Sequence, residues 1–188
     1  MSEFEGTRPG EAGVRRSRRR PAWLYVRPVW IRNTSRRPDD EVREGVMFAV
    51  QGIDMRRVCV NVKNGALGGA AYNGVPEISN APRGARYLVT LRLGRGREQW
   101  PLGPINYHFK GPSETGPRNR FPFFVFHDWQ EWLVKLTAHE AMHIEQFRTG
   151  AVCSEIACER FALERLEQWR AAREPAEPYE QLSLRWAV

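Results

Sequence analysis

Phe121-Pro122-Phe123-Phe124-Val125-Phe126-His127-Asp128-Trp129-Gln130-Glu131-Trp132-Leu133 changes its period at a single point. The first six residues are an apolar, aromatic run of the kind that packs in a strand. Beyond Asp128, the positions Trp129, Trp132, Leu133, Leu136, Met142 and Phe147 recur at helical spacing. Asp128 is a suitable N-cap, and Glu131 stands three residues on, where a capping-box partner belongs. Gly150 supplies the stop. A second helix is predicted from Cys153 to Arg173, with Ile156, Phe161, Leu163, Leu166 and Trp169 apolar, Ser154 as its cap and Pro175 beyond its end.

The residues before this switch read as strands and loops. Trp23–Ile31 is aromatic and β-branched, with Pro28 marking an edge or a bulge. Thr34–Asp40 reads as a turn. Gly45–Val50 and Val58–Val62 are short apolar runs expected to form a hairpin. Asn64–Pro82, rich in Gly, Asn and Pro, reads as loop. Arg86–Leu93 alternates as a strand does, and Asn106–Phe109 is a short strand within a Gly- and Pro-rich stretch. The order predicts an α+β domain in which a small, mostly antiparallel sheet precedes two packed helices.

The first predicted helix contains His139-Glu140-Ala141-Met142-His143. Histidines four apart stand one turn apart on one helix face, where both imidazoles can reach one ion at roughly 2.0–2.1 Å. Glu140 projects beside that ion and is free to take a proton from a coordinated water. The bland alternative is a helix with two half-buried histidines, each satisfied by a hydrogen bond. A catalytic zinc site keeps three protein ligands and one open position. No histidine follows His143, so a third histidine in the usual chain order is excluded. The next helix opens with Ser154-Glu155-Ile156-Ala157-Cys158-Glu159. A short connection around Gly150 folds it back so that Glu155 faces the two imidazoles. Glu159, one turn on, is then placed to accept the other ring N–H of a histidine. Cys153 and Cys158 flank Glu155 and remain alternative thiolate ligands, set against their reading as small buried thiols. Cys59 reads as packing, and Gln146 as solvent-facing.

His139-Glu-x-x-His143 followed by Glu155-x-x-x-Glu159-x-x-Ala162 resembles the gluzincins, the thermolysin-like zinc metallopeptidases. The short interval and small chain are most similar to the compact minigluzincin type found in phages and mobile elements. The resemblance covers residues 128–170. It implies one zinc per chain held by His139, His143 and Glu155, with Glu140 as general base and Glu159 orienting a histidine. Glu159 stands where Asp is commoner in the family. The chain is expected to divide into a basic arm at 1–20, disordered because it has almost nothing apolar to bury, a zincin-like metallopeptidase domain at 21–174 and a C-terminal tail at 175–188. His127, His108 and Tyr107 are candidate donors to the oxyanion that peptide hydrolysis develops. The leading reading is a zinc metallopeptidase acting on a protein or peptide laid antiparallel along an edge strand. Arg86–Leu93 and Phe121–Phe126 are its candidate edges.

Composition bounds these readings. The chain has 188 residues, 41% hydrophobic and 27% charged, which fits one folded domain and excludes wholesale disorder. No run of 18 apolar residues is present, so no membrane span is expected. Met1-Ser-Glu-Phe-Glu has no apolar core of a signal peptide, and three cysteines fit a reducing, cytoplasmic setting. The net charge of +7 resides in residues 1–37, where ten arginines face three glutamates. The remainder is balanced. The arginine run at 15–20 is suited to weak, salt-sensitive contact with nucleic acid. An alternative function is therefore a nucleic-acid-associated protein that binds through this arm, its metal site structural or vestigial. Deleting residues 1–20 is expected to leave folding and zinc content unchanged. The same deletion should remove nucleic-acid affinity together with its steep salt dependence, which filter binding across a salt series measures.

Overall fold

The computed structural model describes residues 22–75, 80–96, 98–105 and 124–173. Its central strands are β3 (Val58–Lys63) and β5 (Tyr87–Gly94), reached through β1 (Leu24–Val26), β2 (Val29–Asn33) and α1 (Asp39–Ala49), with β4 (Gly65–Tyr72) between them in sequence. These five strands form one sheet in the order β1-β2-β3-β5-β4. β1/β2 and β4/β5 pair antiparallel, while β2/β3 and β3/β5 pair parallel. A separate antiparallel pair joins β6 (Leu102–Ile105) to β7 (Phe124–Phe126). Two helices follow, α2 (Trp129–Thr149) and α3 (Glu155–Arg173). The α+β reading is therefore right, with a mixed sheet and a third helix. The arm at 1–20, the tail at 175–188 and the strand expected at Asn106–Phe109 lie outside the described residues.

Three expectations are corrected. Gly45–Val50 is no hairpin arm but part of α1, the crossover between parallel strands β2 and β3. Its start is written in Pro38-Asp39-Asp40-Glu41, a proline followed by three acids in the first turn, where the helix dipole favours them. Val42, Val46 and Ala49 then form its buried stripe. Gly45 belongs to that stripe because a methyl group there would come within 2.9 Å of Leu133 Cδ2 on α2. Gly65–Tyr72, expected as loop, is strand β4. Arg86–Leu93, expected as an edge, lies in the interior, since β5 is bonded by β3 on one side and β4 on the other. The edge is β4.

Period-2 alternation divides the sheet into two faces. Ile31, Val60, Val89 and Ala71 are register partners on the face that meets α2, and Arg32, Asn61, Thr90 and Ala70 form the row on the other face. There Arg32 Nε donates to Asn61 Oδ1 at 3.1 Å. Helix α2 packs on β4 and β5 and also against α1 and α3, so residues 131–141 are buried without interruption. A helix enclosed on nearly every side holds its side chains rigidly, which suits it to carry a site.

The ends of α2 form as the sequence requires. Asp128 accepts from the Glu131 N–H at 2.8 Å, and Gly150 closes the helix in the left-handed conformation. Glu131 does more than cap. Its carboxylate receives the His127 N–H at 2.9 Å and Arg170 of α3 at 2.6 and 3.0 Å. This ties the start of α2 to the end of α3 and fixes them antiparallel. Burial disfavours the charge on Glu131, but Arg170 and His127 outweigh it and hold the carboxyl below its ordinary range. A depressed folded-state pKa stabilises the protein at neutral pH, and that stabilisation is lost as pH falls below about 4.5. Arg170→Ala is expected to cost about 1–2 kcal/mol at pH 7, discounted for the partial exposure of the guanidinium. The difference from the parent should shrink on acidification, as urea melts at pH 7 and pH 3.5 would show.

Candidate metal centre

Three side chains converge where α2 meets the first turn of α3. His139 and His143 come from the middle of α2 and are each 8% exposed. Glu155 opens α3, its side chain 48% exposed to the cavity mouth. Glu155 Oε2 lies 3.1 Å from His139 Nε2, and Oε1 lies 3.3 Å from His143 Nε2. The helix reversal is set locally: Gln146 bridges the connection, its Oε1 accepting the Ser154 N–H at 3.3 Å. Ser154 Oγ then accepts the Ala157 N–H at 3.2 Å and starts α3, as its reading as a cap expects.

The opposite nitrogen of each imidazole is already engaged. His139 Nδ1 stands 3.0 Å from Glu159 Oε2. Burial disfavours the charge of Glu159, but hydrogen bonds from His139 and Lys135 and the Lys135 charge overcome it, keeping the carboxyl below its ordinary range. An ionised carboxylate only accepts, so His139 Nδ1 carries the proton. His143 Nδ1 stands 3.2 Å from Gln146 Oε1, whose identity as oxygen is fixed by its bond from the Ser154 N–H. His143 Nδ1 is therefore also a donor. Both Nε2 lone pairs then point at one carboxylate, an arrangement of acceptors against acceptors that only a cation or a proton between them can stabilise.

The separations fit a metal ion. Ligand atoms about 2.05 Å from a tetrahedral ion lie about 3.3 Å apart along each edge, and each imidazole Nε2 lies at 3.1 or 3.3 Å from one of the two oxygens of Glu155. All three donor atoms lie within 4.8 Å of one another. His139, His143 and Glu155 can thus hold a metal ion, and two imidazoles with a carboxylate suit a borderline first-row cation. Cys158, the alternative ligand, is buried behind His143 with Sγ 3.4 Å from Nδ1, the wrong nitrogen. Burial pushes its thiol up to about 12. Cys153 lines the cavity mouth.

The cavity in front of the three donors has a volume of about 440 Å³. Edge strand β4 forms its far wall through Gly69, Ala70 and Ala71, and Phe147 and Glu140 complete it. Glu140 leans onto β4: Ala71 N–H donates to its carboxylate, and a methyl group on Gly69 would come within 2.6 Å of Oε1. Burial pushes the Glu140 carboxyl up to about 7, with Glu155 adding to this and His139, Lys135 and the Ala71 N–H opposing it. Of the oxyanion candidates, His127 sits at the start of α2, bonded to Glu131 at 3.1 Å and outside the cavity lining. His108 and Tyr107 lie outside the described residues. Gln146, read as solvent-facing, is instead 4% exposed and holds His143. Its spacing of i+3 from His143 was the available signal. Lys135, at i−4 from His139, carries a similar signal. No family model, curated protein or solved structure matches the chain.

A divalent ion titrated into the purified protein is expected to bind at about one per chain, measured by calorimetry or elemental analysis. Glu155→Ala should weaken binding more than Cys158→Ala. Glu159→Ala should weaken it about 10–100-fold, the scale of an outer partner.

Proposed function

We propose that this protein is a zinc metallopeptidase of the gluzincin kind, with one zinc held by His139, His143 and Glu155. The observation that carries the reading is the placement of Glu140. Among the described residues it is the carboxylate that lines the cavity beside the donors without belonging to the donor set, and its side chain lies against β4. Bound zinc supplies an acidified water and a polarised carbonyl. Glu140, on the cavity wall, is the group that takes the proton from the attacking water and returns it to the leaving amine. Glu159 holds the His139 ring so that Nε2 faces the ion.

Strand β4 supports a peptide substrate. Among the described residues it is bonded to β5 on one side only, so outer backbone groups other than the Ala71 N–H, which Glu140 takes, can accept an extended chain as an added strand. Its residues, Gly65-Ala66-Leu67-Gly68-Gly69-Ala70-Ala71-Tyr72, are small where they face the cavity, leaving room for the side chains of such a peptide. No described helix is long and apolar enough to cross a membrane.

Glu140→Gln keeps size and polarity but cannot accept the proton. The variant is expected to remain folded, to retain its zinc, and to lose about 10²–10⁴-fold in cleavage of a generic unfolded protein. His139→Ala should lose both zinc and activity. Zinc release by Glu140→Gln would make Glu140 a ligand and overturn the assignment.

A further inference from the structure

We infer that Lys135 is a positioning residue of the metal centre, fixing the Glu159 carboxylate so that His139 presents Nε2 to the ion. The inference rests on the metal-centre reading above. Lys135 and His139 stand at i and i+4 on α2, and their Nζ and Nδ1 converge on one atom, Glu159 Oε2, at 2.6 and 3.0 Å. Lys135 is 2% exposed and Glu159 fully buried. Among the described residues the other oxygen of Glu159, Oε1, is buried without a hydrogen-bond partner, so Oε2 makes the polar contacts that anchor the side chain. Glutamate has one more torsion than aspartate, and its terminal torsion has only broad preferences. A single bond to a histidine would leave that freedom in place, whereas two donors rising from one rigid helix remove it. A lysine ammonium, a compact charge with three donors, suits this position. Lys135 does not line the cavity, so it acts through Glu159 and not on a substrate. A buried ion pair is often no more stabilising than apolar side chains of the same volume. Stability alone therefore gives no account of why this pair sits directly behind a ligand.

The test is a double-mutant cycle read by zinc affinity, using competition with a chromophoric chelator, together with the visible spectrum of the cobalt-loaded protein. Lys135→Met is expected to weaken zinc binding about 10–100-fold, as for loss of an outer partner, and to alter the cobalt spectrum. In the Glu159→Gln background the same substitution should have no further effect, because the group it acts through is gone. If Lys135→Met does not fold, the comparison of Glu159→Gln with the double variant, which buries no unpaired charge, still decides: any difference in zinc affinity overturns the inference. Unchanged affinity and spectrum in a folded Lys135→Met would make the lysine merely structural. Tighter zinc binding would mean that it acts by its charge on the ion. Either result overturns the inference. If the unaltered protein binds no zinc, the metal-centre reading itself falls, a distinct result.

Discussion

Glu159 Oε2 is the atom on which the arrangement of the two long helices turns. It lies fully buried on α3 and receives a proton donor from each of two successive turns of α2. A carboxylate in that position cannot be left without a compensating cation or donor, since an uncompensated buried charge costs several kcal/mol. The helices must therefore meet in the one register that brings Lys135 and His139 to it. That register carries Glu155, one turn before Glu159, to the outer side of the same imidazoles. The bond that settles the packing also decides which nitrogen of His139 is left as a lone pair. Structure and chemistry are set together.

The same logic explains how α2 carries so many polar groups. Glu131, Lys135, His139, Glu140, His143 and Gln146 are all buried in it. In an isolated helix such a stripe would repel an apolar neighbour. Here each group meets a partner on an adjoining element: Arg170 and Glu159 on α3, Ala71 on β4, Ser154 in the connection. The apolar core keeps to the other faces, where Leu133 meets α1 and Trp132 stacks edge-on against Phe126 at 5.1 Å. Tight approach is allowed by small residues. Gly45 admits Leu133, and Gly69 admits Glu140. The second of these shapes the cavity, since a larger residue at 69 would drive the carboxylate from the wall.

Helices α2 and α3 and the three donors were legible because their signals are local. Capping residues, helical spacing and the i, i+4 histidines sit within a few residues of one another, and the separation of Glu155 and Glu159 from them is bridged by one short turn. The sheet was less legible. Gly65–Tyr72 has no β-branched residue and, apart from Leu67 and Tyr72, only Gly and Ala to mark a strand, because its neighbours require small ones: Arg92 lies over Gly65 and Gly68, and Glu140 over Gly69. Its strand character comes from pairing with β5, a tertiary cause that no local pattern records. Gly45–Val50 read as a strand because it is a short apolar run, and the close approach of Gly45 to Leu133 that seats it as helix is likewise tertiary. Gln146 reads as a surface residue because glutamine usually is, and nothing local marks Lys135 as buried, since lysine seldom is. Their roles depend on what α3 and the connection bring to them.

Zinc K-edge X-ray absorption on the zinc-loaded chain tests the centre most directly, since it reads the ligand atoms themselves and needs no substrate. The account predicts a shell of nitrogen and oxygen only, at about 2.0–2.1 Å, with the outer scattering of two imidazoles. A sulfur scatterer at about 2.3 Å would place Cys153 or Cys158 in the shell and contradict it.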